Sequence, residues 1–315
     1  MLVRPQRRFP GSAALLRGSA LSEIWPQLLV ITLISVGATE WLYAHEDPEA
    51  FSLTTIPFSL IGLALSIFLG FRNNACYDRW WEARKLWGAL INTTRSLARQ
   101  NLTLVGSDAP EEAAELRAFQ VEMVRRTIGF AYGLKYHLRT EISLDSVTPW
   151  IPEEDRAALQ DETNVPNALT QLMAERVREA WKRGWIDTFH LNILEGSITK
   201  LTDIQGGCER IKNTPVPLSY TTLTHRLVAL YCVCLPFGIA ADVGHVAPLV
   251  VLFISYAFLG LDSVGTQLED PFELDPNDLP LAALARTIER NLLQRIDVDV
   301  AELPGPIQAD GGILV

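Results

Sequence analysis

The chain has 315 residues, 48% of them hydrophobic and 20% charged, with a formal net charge of −10. An excess of acid argues against a nucleic-acid partner, and a mean hydropathy slightly above zero is high for a soluble protein of this length. The four cysteines, Cys76, Cys208, Cys232 and Cys234, form no CxxC pair, so no disulfide framework is expected.

The apolar residues are concentrated rather than spread. Residues 24–43 hold one acid, Glu40, and residues 53–71 hold no charge. Residues 220–241 are apolar after His225 and Arg226, and 246–261 form a shorter apolar run. A bilayer needs roughly 17–25 apolar residues per helix. We therefore expect an all-α integral membrane protein with transmembrane helices at about 24–43, 53–75, 220–241 and 246–262. Polar regions at about 76–219 and 263–315 complete a single structural unit, 1–315.

Orientation follows from the flanks. Arg4, Arg7, Arg8 and Arg17 precede the first span, and Arg72, Arg79, Arg84 and Lys85 follow the second. The intervening loop carries Glu46, Asp47 and Glu49 with no Lys or Arg. Positive charge marks the cytoplasmic side, so both termini and the polar middle are expected inside. The first apolar run is too long for a secretory signal and lacks its small-residue cleavage pattern.

Within the second span, small residues recur at Gly62, Ser66 and Gly70, and large ones beside them at Leu63, Ile67 and Phe71. Residues four apart share a helix face. Small stripes let membrane helices pack closely. If copies close around an axis, the large stripe forms an apolar constriction; ordinary lipid or core packing produces the same pattern. Pro57 stands near the start of this helix, where it either bends the helix or sits harmlessly in the first turn. Beyond the span, Arg79, Trp80, Trp81 and Trp87 suit an anchor at the inner membrane surface, with Glu82 spaced to pair with Arg79 or Lys85.

The middle of the chain reads as helical. Periodicity predicts helices over 111–139, 167–184 and 186–211, with 149–167 a loop holding one short helix. Pro215 and Pro217 break the last of these before the third span. Enzyme readings find no support: His45, His137, His190, His225 and His245 are scattered, and GxSxG, GxxxxGK[ST] and GxGxxG are all absent.

Three blocks carry a resemblance. They are 71–88 (FRNNACYDRWWEARKLWG), Gly207-Cys208-Glu209-Arg210-Ile211 followed by Thr214-Pro215-Val216-Pro217, and Gln267-Leu268-Glu269-Asp270-Pro271-Phe272. In this order the chain resembles the bestrophin family, its bacterial branch most closely, from Leu21 to about Gln294. The resemblance implies a homopentameric ion channel of the bacterial inner membrane, whose partners are copies of itself, lipids and permeating monovalent ions. Leu63, Ile67 and Phe71 match the family's hydrophobic neck, with Leu63 where bacterial relatives often carry Ile. Ile198 falls where the family has a cytoplasmic aperture, although the helical stripe equally makes it a core residue.

Animal relatives hold a calcium clasp after the Pro-Phe pair. Here Asp275 and Asp278 match two ligand positions, but Leu274, Pro276 and Asn277 interrupt the cluster. A calcium site wants six to eight oxygens, so no calcium and no other cofactor is expected, and Asp278 is read as capping a helix from about Leu279. The apolar neck offers no charge to choose an ion. The acidic balance leans the expectation toward monovalent cations; a chloride channel is the alternative, and a non-conducting scaffold or sensor the second.

Overall fold

The computed structural model describes residues 1, 20–44, 54–139, 144–309 and 314, and no strand occurs among them. The N-terminal arginines and the acidic loop on which the orientation argument rests lie outside these residues. Nine α-helices are described: α1 (Leu21–Tyr43), α2 (Thr55–Leu104), α3 (Ala113–Arg139), α4 (Glu153–Gln160), α5 (Val165–Lys182), α6 (Thr188–Asn213), α7 (Leu218–Val243), α8 (Ala247–Glu269) and α9 (Leu281–Leu293).

The stretches Leu21–Tyr43, Thr55–Leu104 and Leu218–Glu269 are long and apolar enough to cross a membrane. The last is a pair, α7 and α8, joined by one 3-10 turn at Gly244–Val246. Gly244 closes α7 at φ 72°, and its N–H reaches back to Ala240, a left-handed closure that glycine adopts without strain. The two apolar runs at about 220–241 and 246–262 are thus two helices with a turn between them.

The second span runs further than its apolar part. α2 is one helix of 50 residues, ~75 Å long at 1.5 Å per residue. Pro57 is its third residue. There the missing N–H is one that the first turn leaves unpaired anyway, so Pro57 begins the helix and does not bend it.

Two packed layers share α2. Its first half joins α1, α7 and α8 around Ile24, Leu28, Leu65, Leu69, Val228, Leu235 and Val251. Its second half joins α3, α5, α6 and α9 around Trp87, Leu90, Leu97, Met123, Phe130, Leu201 and Ile288. Side-chain caps start α5 and α6 of the second layer. Asn164 Oδ1 accepts from Asn167 N at 3.2 Å, and Asp187 Oδ1 accepts from His190 N at 2.7 Å.

Candidate functional site: the α2 stripe and its polar collar

Leu63, Ile67 and Phe71 stand on one stripe of α2, 62%, 51% and 66% exposed. Among the described residues, no other helix covers them. The face that packs the protomer is a different one, built from Gly62, Leu65, Leu69, Arg72 and Cys76. Of the small residues, only Gly62 is in that seam: the Tyr231 hydroxyl comes within 2.7 Å of where a Cβ would lie. Phe58 packs in the same way on Gly238 of α7. Gly70 meets nothing nearby and Ser66 is exposed, its hydroxyl turned back onto Gly62 O at 2.7 Å. The seam within the chain is thus made by Leu65, Leu69, Arg72 and Cys76 with Gly62 among them, and Ser66 and Gly70 lie outside it. Beside Phe71 an apolar groove of about 580 Å³ opens between α2 and the start of α7, lined by Ala75, Val216, Pro217, Tyr220 and Leu223.

Where α2 leaves the apolar layer, a collar of polar side chains ties the helices together. Arg72 is fully buried. It donates to Asp262 Oδ1 at 2.7 Å and to Thr266 Oγ1 at 2.9 Å, and it lies 3.6 Å from Glu269 Oε2. The other oxygen of Asp262 is 2.5 Å from His225 Nδ1 on α7. Asn73 Nδ2 donates to Leu261 O at 2.9 Å, and its Oδ1 presses on Gly265, where a Cβ would overlap it. On α1, Glu23 accepts from Ser263 at 2.6 Å and from Gln267. The charge-marking role given to Arg72 is therefore incomplete: it is neutralised in place. A buried guanidinium is stable only with such close partners.

Arg79 is half-buried and turned onto the ends of neighbouring helices. Its guanidinium donates to Glu269 O at 3.1 Å, Ile211 O at 2.6 Å and Thr214 O. These are carbonyls at the C-terminal ends of α6 and α8, which have no partner within their own helices. Trp80 is half-buried and bonds Asn277 O at 3.0 Å, whereas Trp81 is 46% exposed. Trp87 is fully buried in the second-layer core, so the expectation of an interfacial Trp87 is corrected. Its indole N–H has no partner among the described residues. Glu82 pairs with Arg210 of α6 rather than along its own helix.

Ile198 is 4% exposed and packs within the same core. Within the chain this is the place that the helical stripe gives it, and it also borders a shallow groove with Asn167, Thr170 and Thr202. Asp278 caps no helix: α9 begins at Leu281 behind Pro280, without a side-chain cap. Instead Asp278 Oδ2 accepts from Asp275 N at 2.7 Å, and its buried Oδ1 has no partner. Burial, the largest cause, pushes its carboxyl up to about 7, with the Asp275 N–H opposing and the neighbouring Asp275 and Glu273 charges adding. Among the described residues, no three His, Cys, Asp or Glu side chains are placed to hold a metal. All four cysteines are free thiols, and burial pushes that of Cys208 up to about 12, far from a reactive thiolate.

The sequence reading missed Asp262, Thr266 and Gly265 and counted His225 only among scattered histidines. A signal was present: Asp262 is a lone acid directly after an apolar run, and Arg72 is a lone base directly after another. Opposite charges at matching depths of two membrane helices pair by preference.

The family model described as "Bacterial/Fungal Bestrophin protein" matches residues 1–294. The chain is 37% identical over 292 residues to the voltage-dependent anion channel-forming protein RSc3414 of Ralstonia nicotianae, covering 92% of each chain. It is 36% identical over 312 residues to the voltage-dependent anion channel-forming protein YneE of Escherichia coli K12, covering 98% of each. Among solved structures it is similar to a bacterial bestrophin homolog from Klebsiella pneumoniae, with a TM-score of 0.82 and 34% identity over 88% of this chain and 99% of that one. Covering nearly the whole chain by sequence and by fold, these likenesses leave one assignment: the protein belongs to the bacterial and fungal bestrophin family.

Proposed function

We propose that five copies of this chain form a channel for small monovalent anions, chloride first, with Leu63, Ile67 and Phe71 lining a hydrophobic neck. The observation that carries this reading is that the stripe is exposed in the protomer, on a face distinct from the seam that packs it. A ring of such side chains admits water and ions only intermittently, which is how apolar constrictions gate. Ser66 and Gly70, open in the single chain, supply small surfaces for close contact between neighbouring α2 helices. The collar faces the cytoplasm, and the membrane is a bacterial inner membrane.

The lean toward cations gives way to the anion alternative. Relatives of this chain are named voltage-dependent anion channel-forming proteins. The physical support for the cation lean also weakens, because many acids are occupied within the protomer. Glu122 binds Arg126 and Arg176, Asp155 binds Arg126, Glu82 binds Arg210, and Asp262 binds Arg72. A whole-chain charge of −10 therefore says little about the lumen.

The test is the reversal potential of the purified protein in a planar bilayer under a NaCl gradient. The expected value lies toward the chloride equilibrium potential. A value toward that of sodium restores the cation reading. No current from an intact pentamer, with an alanine-substituted neck equally silent, leaves the scaffold.

A further inference from the structure

Phe71 is flanked by contacts to α8 on its C-terminal side and to α7 on its N-terminal side. Arg72 meets Asp262, Thr266 and Glu269, which follow one face of α8 at spacings of four and three. Its Nη1 also reaches Asp262 O at 3.3 Å. Asn73 binds Leu261 O at 2.9 Å, and on the preceding turn the Tyr220 hydroxyl of α7 donates to Phe68 O at 3.1 Å. Through Asp262 Oδ2 and His225 Nδ1 the grip extends to α7.

The rest of the α2 seam in this layer is Gly62, Leu65 and Leu69, which give shape but little direction. Apolar side chains re-pack after a small helix rotation at modest cost. A buried guanidinium cannot, because rotation would strip it of partners that it cannot regain. Phe71 lies one residue, about 100° of helix, from Arg72. Whatever sets the azimuth of Arg72 sets that of Phe71.

We propose that Arg72, seated on Asp262 and through it on His225, is the positioning residue of the neck: it fixes the rotation of α2 and so the direction in which Phe71 projects. The cluster touches no ion. The proposal rests on the channel reading above and gives it a defined mechanical origin.

The test is a double-mutant cycle read by unitary conductance, with melting temperature recorded in parallel. Arg72→Met and Asp262→Asn are each made in the parent and in Phe71→Ala. The expected result is a change in unitary conductance of about threefold or more in the parent, shrinking below about 1.5-fold when Phe71 is already absent. Arg72→Lys, which keeps the charge but not the fork, is expected to fall between the two. Unchanged unitary conductance with only a lower melting temperature overturns the proposal, because the cluster would then merely stabilise. Where Arg72→Met fails to fold, Asp262→Asn and Arg72→Lys read the same quantity.

A second arm does not depend on conduction: p-benzoylphenylalanine is placed at position 71, and light-induced cross-linking between subunits is measured. A yield that drops several-fold with Asp262→Asn supports positioning even if every variant is silent, a result that would sink the channel reading alone. A yield indifferent to Asp262, or no inter-subunit product at all, overturns the positioning of a shared neck.

Discussion

Arg79 is one side chain doing the work of three caps. With its guanidinium on Ile211 O, Thr214 O and Glu269 O, Arg79→Ala leaves the ends of two helices without their donors. The expected loss is about 2 kcal/mol, the scale of hydrogen bonds to a charged group, visible as a lower melting temperature in detergent. Arg79→Lys should recover less than half, because an ammonium cannot serve three divergent acceptors with the same fork. Asp278 makes a second prediction at this scale. Its folded-state pKa, about 7, lies above the ordinary 3.8, so the folded chain holds the proton more tightly than the unfolded one. Its contribution to stability is therefore full below about pH 4, declines as pH rises toward about 7 and is flat beyond. Asp278→Asn should flatten the melting temperature across that window and raise it at pH 8; an unchanged pH profile would show that the group titrates elsewhere.

At the scale of elements, α2 explains both what was readable in the sequence and what was not. Its existence, its start near Pro57 and its junction with a polar half were legible, because charge-free and charged residues divide cleanly at Arg72. Which face packs was not. Leucines, isoleucines and glycines occupy every side of residues 56–71, and a helix that is apolar all round carries no directional signal. Leu65 and Leu69 take the seam within the chain, with Gly62 the one member of the small stripe among them. Trp87 differs, since Ala83, Trp87, Leu90, Thr94 and Leu97 recur at helical spacing in a polar context, and that period would have assigned it to the core. The replacement of Leu63, Ile67 and Phe71 together by Ala is expected to widen the neck and raise unitary conductance several-fold; unchanged current would remove the stripe from the pore. Gly265→Ala tests the α2–α8 contact, because its new methyl group overlaps Asn73. The expected cost is roughly 1–3 kcal/mol, typical of overpacking, measured as a shift in thermal unfolding of the solubilised protein.

For the molecule as a whole, family and all-helical architecture were open to sequence reasoning, since three separated blocks and four apolar runs each point the same way. Ion sign was not, because it depends on which acids remain unpaired around a lumen, and pairing is a property of tertiary contacts such as Glu82 with Arg210, 128 residues apart. Native mass spectrometry in detergent should find an assembly of five times 35.0 kDa; a monomer under mild conditions would deny the shared axis. Chelation of calcium with EGTA is expected to leave conductance unchanged, as one oxygen of Asp278 is committed to Asp275 N and Leu274, Pro276 and Asn277 interrupt the acidic cluster.

The separation of Arg72 from its partner has a consequence for how the protein is made. Asp262 follows Arg72 by 190 residues, roughly 10–40 s of synthesis at ~5–20 residues per second. During that interval the nascent chain carries an uncompensated guanidinium at the edge of the bilayer, where α2 cannot settle against a helix that does not yet exist. The seating of α2 is thus provisional until α8, which carries Asp262, arrives. Chains cut short before α8 should be left unanchored in rotation and exposed to quality-control proteolysis, and the last membrane helix becomes the checkpoint for the second.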